Sequence, residues 1–339
     1  MTINIADVAV LIVSYNTEDL LRNCLRSVVE QRGSLGQQII VVDNGSADGS
    51  VAMVRTEFPE VELIDAKQNL GFARGVNLAA TRADAEYLLL LNPDTVVLDR
   101  ALERLVQFAR SQPGHGLYGG RALKTDGSLE LSSCWALPTI WSTTCFALGL
   151  STAFRHTQWF DPEAMAHWRR DTVREVGIVT GCLLLAPRDV WDELGGFDER
   201  YFMYGEDADL ALRAKAAGYR PIICPDACII HEVGKASATK AGKLLLLFKG
   251  KATLFRDHFD GWRRSLLLFQ LLVGVGLRAQ LARARSRSRR SDADPWGTVW
   301  RDRHDWIKGY PGLRPSHREL GHGMAANLKP RAAKEAGRP

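Results

Sequence analysis

Cysteine is scarce. The 339 residues hold six, Cys24, Cys134, Cys145, Cys182, Cys224 and Cys228, and no two of them form a Cys-x-x-Cys pair. That spacing offers no disulfide framework, and the thiols read as small buried hydrophobes. Cys224, Cys228 and His231 come nearest to a metal-binding spacing, but their segment reads as strand and a fourth ligand is missing. Residues 1–13 lack the basic stretch that opens a secretory signal, so a reducing cytosol is the expected compartment. The apolar-rich stretch at 265–277 has 13 residues, whereas a helical bilayer span needs about 20. A G-x-G-x-x-G fingerprint is absent, which removes support for a dinucleotide fold. No internal repeat is visible.

What is present begins with an ordinary globular composition, 46% hydrophobic and 24% charged, on a chain long enough to bury a substantial core. The net charge of +5 is unevenly spread: residues 278–339 hold 15 Lys/Arg against 6 Asp/Glu, and the body is mildly acidic. A basic tail suits an anionic partner such as a membrane surface, nucleic acid or phosphate. Nucleic acid is set aside, because no recognisable binding fold surrounds these arginines.

The first hundred residues alternate strand and helix signals. The apolar run at 8–13 is short enough for a strand buried on both faces, and residues 18–31 place Leu21, Cys24, Leu25 and Val28 at helical spacing. Further strands are expected at 38–42, 61–64 and 87–91, with helices at 71–81 and 102–110. This alternation predicts an α/β fold of parallel βαβ units whose ligands bind beyond the carboxyl ends of the strands. A hairpin turn is expected around Asp126-Gly127, and loops with short helices over 132–175. A strand at 176–186, helices at 188–194 and 206–217, and short strands at 219–224 and 228–231 complete the body. The apolar stretch at 265–277 precedes six arginines in 278–290. That juxtaposition predicts a helix lying in a membrane interface; the alternative is a core helix followed by a solvated tail. Beyond 291 a loosely ordered basic extension is expected, part of it docked through Trp296, Trp300 and Trp306.

Three polar clusters stand at predicted strand ends: Ser14-Tyr15-Asn16, Asp43-Asn44-Gly45-Ser46 and Asn92-Pro93-Asp94. A carboxylate there has a rigid base and an open face. Asp43 is suited to accept hydrogen bonds from a nucleobase or ribose, and Asp94 to hold a hard divalent cation bridging diphosphate oxygens. Simple capping is the competing account of any one cluster; three in parallel positions favour a site. The segment Asn69-Leu70-Gly71-Phe72-Ala73-Arg74-Gly75-Val76-Asn77 is a Gly-containing strand-to-helix turn whose backbone a nucleotide can approach closely. Glu206, Asp207 and Asp209 crowd the first turn of a predicted helix. The helix dipole accounts for acids there, yet one of them, desolvated among like charges, would have the raised basicity of a general base.

Taken in order, SYN, VVDNGSADGS, NLGFARGVN, NPD, GGFDERYF and GEDADL resemble the inverting family 2 glycosyltransferases of the GT-A fold, and within them the bacterial rhamnosyltransferase branch. The resemblance covers roughly residues 8–260. It implies a GT-A, Rossmann-like sheet flanked by helices, a nucleotide-sugar donor, and a single displacement assisted by Mg²⁺ or Mn²⁺. Carried over, Ser14, Tyr15, Asn16, Asp43, Asn69, Gly71, Arg74, Asn77, Asn92 and Asp94 fall on the donor side, with Asp43 holding the nucleoside. Asp94 matches the metal-binding last acid of a D-x-D element whose first acid is Asn92 here. His231 occupies the place of a metal-ligating histidine, Asp207 matches the catalytic base, and Thr180, Gly181 and Glu206 lie on the acceptor side.

The same resemblance implies transfer of one sugar, L-rhamnose from dTDP-rhamnose, to a saccharide or polyprenyl-diphosphate-linked acceptor in cell-envelope assembly. The expected location is the inner face of the cell membrane, bound peripherally to its anionic surface. The expected division is a catalytic domain over 1–240, with its nucleotide-binding half ending near 120, an apolar and basic helical segment over 241–290, and a basic tail over 291–339. A processive synthase is disfavoured by the missing Q-x-x-R-W motif, and a nucleotidyltransferase by the missing basic Gly-rich phosphate loop. A degenerate, membrane-associated scaffold is the non-enzymatic alternative.

Overall fold

The computed structural model describes residues 5–31, 33–232, 239–286 and 294–312. A strand that is apolar on both faces belongs in the middle of a sheet. Strand β1 (Ala6–Ser14) is such a strand: Val8, Val10 and Ile12 pack into one core layer, and Ala9 and Leu11 into the other. It pairs in parallel with β2 (Gln37–Asp43) and β4 (Ala85–Leu91), and β2 pairs in parallel with β3 (Glu62–Asp65). Helices Glu18–Glu30, Ser50–Glu57 and Phe72–Arg82 make the crossovers between them. Register sets Ser14 opposite Asp43 and Asp43 opposite Asp65, so the carboxyl ends of these strands form one edge. β4 reaches that edge with Leu91 opposite Ile12. The three polar clusters therefore emerge side by side.

The rest of the sheet is mixed. Strand Leu183–Pro187 runs antiparallel between β4 and the strand Tyr118–Leu123, which in turn pairs in parallel with Ile222–His231. The far side of Ile222–His231 pairs antiparallel with Thr95–Val97, directly after the Asn92-Pro93-Asp94 cluster, and brings His231 opposite Thr95. Nine strands make up this α/β sheet.

Two expectations need correction. The strand expected over 176–186 is broken: Ile178–Val179 pairs with Cys134–Trp135 in a separate ribbon, and Leu183–Pro187 joins the main sheet. Between them the Thr180 hydroxyl donates to the Ser132 carbonyl at 2.6 Å, which draws the chain out of line. The two short strands expected at 219–224 and 228–231 are one, Ile222–His231, whose register shifts between Ile223 and Cys228. Pro225 lies in that irregularity, where the missing N–H cannot serve a ladder.

The C-terminal helices Lys240–His258, Gly261–Ser286, Pro295–Arg301 and Arg303–Trp306 enclose their own cluster, centred on Phe248, Phe255, Leu271, Val275 and Trp306. Trp306 is fully buried, and Trp296 and Trp300 pack against the same cluster, so the first part of the tail is docked. The apolar stretch at 265–277 belongs to a longer helix than the stretch itself implied. Its Gly261–Ala284 portion is long and apolar enough to cross a membrane, with a mean hydropathy of 1.6, although 39% of the most apolar window is buried against the protein. The arginines at 287, 289 and 290 and the tail beyond 312 lie outside the described residues.

Candidate active site at the carboxyl edge of the sheet

The first part of this edge is built by β1 and β2. Ser14 is buried, its hydroxyl sharing a 2.9 Å bond with that of Thr17. Asp43 is 1% exposed; one carboxylate oxygen accepts from the Ser46 N–H at 2.8 Å, and Oδ2 has no partner among the described residues. Beside it, Asn44 donates to the Gly71 carbonyl at 3.0 Å and leaves its own Oδ1 unpartnered. Two buried acceptors without donors are a standing penalty of about 1–3 kcal/mol each, which a ligand N–H or O–H can relieve. Asn16, at φ 53°, accepts from the Ala47 N–H at 2.7 Å and braces the turn, while Tyr15 is exposed.

The 69–77 segment frames the next part of the edge. Asn69 accepts from the Gly71 N–H at 3.0 Å. Gly71 adopts φ 82°, and a Cβ there would sit 2.5 Å from the Phe202 carbonyl, so glycine is required on both counts. That same carbonyl accepts from the Phe72 N–H at 2.8 Å, tying the segment to the loop before the Glu206–Ala216 helix. A shallow cavity of about 230 Å³ opens here, lined by Gln68, Asn69, Leu70, Arg74, Glu199 and Phe202 among others. Asn77 does not face it. Its amide is engaged on both sides by the Phe197 main chain, at 2.9 and 3.0 Å, and so holds the GGFD turn rather than offering a group to a ligand.

Asp94 and His231 meet at the centre of the edge. Nε2 of His231 lies 3.2 Å from Asp94 Oδ1 and 3.5 Å from the Asn92 amide nitrogen, and Nδ1 lies 2.9 Å from the Ser132 hydroxyl. Burial alone would lower the His231 pKa, but the neighbouring Asp94 and Cys182 raise it to about 10. An adjoining carboxylate and imidazole fit a divalent cation that takes the rest of its shell from phosphate and water. Among the described residues no group of three or more His, Cys, Asp and Glu is gathered to cage a metal with protein donors alone. The spacing of Cys224 and Cys228 before His231 makes no such cluster either.

The three acids after Gly205 have separate fates. Asp209 is fully buried and engaged by Arg213 at 2.8 Å and His258 at 2.7 Å. Glu206 is 5% exposed with Oε2 unpartnered; burial first, then repulsion from Asp207 and Asp209, pushes its pKa well above the usual carboxylate range. Asp207 is half-buried, and desolvation raises it from 3.8 to about 6 against the opposing Ala208 N–H, which donates to it at 2.7 Å. Burial thus raises both carboxylates, Asp207 to about 6 and Glu206 well above its usual range.

The Thr180-Gly181-Cys182 bend joins these parts. Thr180 bonds to the Ser132 carbonyl, and the Ser132 hydroxyl contacts His231. A Cβ on Gly181 would meet the Phe72 ring at 2.9 Å. Ser132 and His258 were not legible as site residues: the first sits in a stretch without periodicity, and the second is 49 residues from the acid it contacts.

Comparison with known proteins places the family and the fold. The glycosyl transferase family 2 model matches residues 9–175. The chain is 30% identical over 274 residues to an N-acetylglucosaminyl-diphospho-decaprenol L-rhamnosyltransferase of Mycobacterium tuberculosis, covering 75% of this chain and 85% of that one. It is 27% identical over 239 residues to an O-antigen biosynthesis protein, RfbC, of Myxococcus xanthus, covering 66% of this chain and 17% of that one. A mannosyltransferase from Pyrobaculum calidifontis, solved with GDP-Man and Mn²⁺, superposes with a TM-score of 0.53 at 17% identity, over 95% of this chain and 85% of that chain. The chain has the GT-A fold and belongs to glycosyltransferase family 2.

Proposed function

We propose that this enzyme transfers a single L-rhamnose from dTDP-rhamnose, with inversion, to a saccharide or polyprenyl-diphosphate-linked acceptor used in cell-envelope polysaccharide synthesis. The observation that carries the reading is the pair of acids at 206 and 207. A half-buried carboxylate raised to about 6, packed beside a buried acid that is also raised, suits a general base. Asp207 takes the proton of the acceptor hydroxyl as that oxygen bonds to the anomeric carbon, and the bond from that carbon to the nucleoside diphosphate breaks on the opposite face. Asp43 receives the nucleobase or ribose through its unpartnered oxygen. Asp94 and His231 would hold Mg²⁺ or Mn²⁺, which would supply positive charge to stabilise the leaving diphosphate. The choice of sugar and acceptor leans on the mycobacterial relative, whose name specifies a decaprenol-linked acceptor and L-rhamnose. Its counterpart here works on the inner face of an anionic membrane.

The test is a donor screen with purified protein and either cation, following nucleoside diphosphate release with and without a lipid-linked acceptor. Acceptor-dependent release from dTDP-rhamnose, lost with chelator and in Asp94→Ala, is the expected result. Release from a different sugar nucleotide would refute the donor assignment and keep the class. Asn92, in place of a carboxylate, is the observation on the side of a non-catalytic scaffold; nucleotide binding without turnover for every donor would favour that reading.

A further inference from the structure

Large apolar side chains are not scattered evenly over this surface. Of the twelve that stay exposed among the described residues, eight fall on two segments, 141–159 and 262–281. Trp159 is 76% exposed, Trp262 66%, Phe269 61% and Leu148 60%. Within the Gly261–Ser286 helix, Trp262, Leu266, Phe269 and Val273 recur at helical spacing and form one stripe. The opposite side of this helix is committed to the protein through Leu267, Leu271 and Val275. Helix Ile140–Ala147 lies alongside it, held by Gln270 donating to the Thr144 hydroxyl at 2.7 Å and Arg278 donating to the Phe146 carbonyl at 2.8 Å. Both helices pack against the Phe248 cluster, while Trp141 on one and Phe269 on the other stay exposed.

Charge on these segments has one sign. Residues 141–161 and 261–284 carry five arginines, Arg155, Arg263, Arg264, Arg278 and Arg283, against one acid, Asp161. Arg155, Arg263 and Arg264 are exposed, and the Arg263 guanidinium lies 5.7 Å from the Trp262 ring centre. An exposed aromatic stripe among arginines matches a layer that is apolar below and anionic above.

We propose that segments 141–159 and 262–281 together form a docking face for an anionic phospholipid bilayer, with the Gly261–Ser286 helix lying in the plane of the interface. The inference deepens the proposed function, because it names the surface by which an enzyme with a lipid-linked acceptor would meet the membrane, and it rests on that reading for its purpose alone. A span is disfavoured by the same contacts: crossing the bilayer would strip Leu267, Leu271 and Val275 from their cluster and carry Arg278 into hydrocarbon. The sequence anticipated the helix but not the contribution of 141–159, whose aromatics follow no period.

The experiment sediments the full chain with vesicles of phosphatidylcholine alone and of phosphatidylcholine mixed with phosphatidylglycerol. Wild type is expected to bind the mixed vesicles about tenfold or more tighter than the neutral ones, and Trp159→Ser/Phe269→Ser to lose about tenfold or more of that binding. Both substituted residues are exposed, so an unchanged circular dichroism spectrum and melting curve are expected to accompany the loss. Binding by the double variant equal to wild type would overturn the proposal. So would bound protein that resists alkaline carbonate, which would mean a span, or a dimer that dissolves in the double variant without vesicle binding, which would give the face to a second copy. Vesicle binding by a protein that transfers no sugar would sink the proposed function and leave the docking face standing. Transfer to a water-soluble acceptor without vesicle binding would do the reverse.

Discussion

Replacing Asp43 by asparagine separates a binding role from a structural one. In the wild type, one oxygen of this carboxylate accepts from the Ser46 N–H at 2.8 Å and the other is buried without a partner. The substituted amide can keep its oxygen on Ser46, which leaves an NH₂ where the unpartnered acceptor was. A nucleobase N–H or ribose hydroxyl that donated to the carboxylate then meets a donor. Loss of a hydrogen bond to a charged group is worth about 1.5–3 kcal/mol, which corresponds to roughly a 10- to 150-fold weaker Kd for dTDP. Folding should hardly notice, because one unsatisfied buried group replaces another and the Ser46 bond survives. Isothermal titration with dTDP measures the first quantity and a thermal melt the second. The expected outcome is weaker binding with Tm within about 4 °C of wild type. Unchanged dTDP affinity would refute the assignment of Asp43 to the nucleoside. A large fall in Tm would show instead that the carboxylate is needed to build the turn.

Asp207→Asn is expected to lower kcat by about a hundred- to ten-thousand-fold while dTDP affinity holds, because the base acts on the acceptor and not on the nucleotide. Wild-type kcat should rise with pH through about 6, where Asp207 loses its proton, and a pH–rate profile of the variant should lack that limb. Stability should move the other way. The folded-state pKa is raised, so between 3.8 and about 6 the folded chain retains a proton the unfolded chain has lost, and stability falls as pH rises through that window. Melting curves over pH should show less of this decline in Asp207→Asn. Arg170→Met should destabilise the 131–170 region by at least about 3 kcal/mol, read as a lower Tm and faster proteolysis there, since the buried guanidinium donates to carbonyls of Met165, Trp168, Cys134 and Ala164 that would be left unpaired.

How much of this was legible in the sequence differs from one element to the next, for physical reasons. β1, β2 and β4 were readable because a strand buried on both faces must be apolar throughout, and their polar ends stand out against such runs. Asp43 and Asp94 drew notice at the ends of such runs, whereas His231 was singled out only by the family resemblance. Thr95–Val97 was not readable, because three residues hold no period. The sequence did not show that the amides of Asn16, Asn69 and Asn77 also brace the main chain, each accepting from a backbone N–H within the protein. The acids at 206, 207 and 209 look equivalent in sequence. What separates them is the partner opposite, and Arg213 and His258 reach only Asp209.

The family model ends at residue 175, and several of the contacts that fix the helix beginning with Glu206 and Asp207 are made after that point. His258 donates to Asp209 at 2.7 Å, Arg200 joins Asp198 at 2.6 Å to Asp257 at 2.5 Å, and the Tyr310 hydroxyl donates to the Met203 carbonyl at 3.1 Å. Gly205, at φ 106°, packs so tightly that a Cβ would lie 2.8 Å from the Tyr201 ring and 3.2 Å from the backbone of Gly250. The C-terminal helices therefore share with the sheet core in seating the helix that carries Asp207, and the Gly261–Ser286 helix with its exposed apolar stripe packs in that same group. His258→Ala tests the coupling. Asp209 keeps Arg213 and loses its second partner, so the penalty should fall at or below the roughly 3–5 kcal/mol of a fully broken buried pair. A small misplacement of the base can cost up to about a hundredfold in rate, and the donor shelf on β1–β4 is untouched. The expectation is a fall in kcat with the donor KM unchanged, partly restored in His258→Gln, whose amide can still donate to the carboxylate. A lower Tm with wild-type kcat would reduce His258 to a structural residue and break the link between the C-terminal helices and the chemistry.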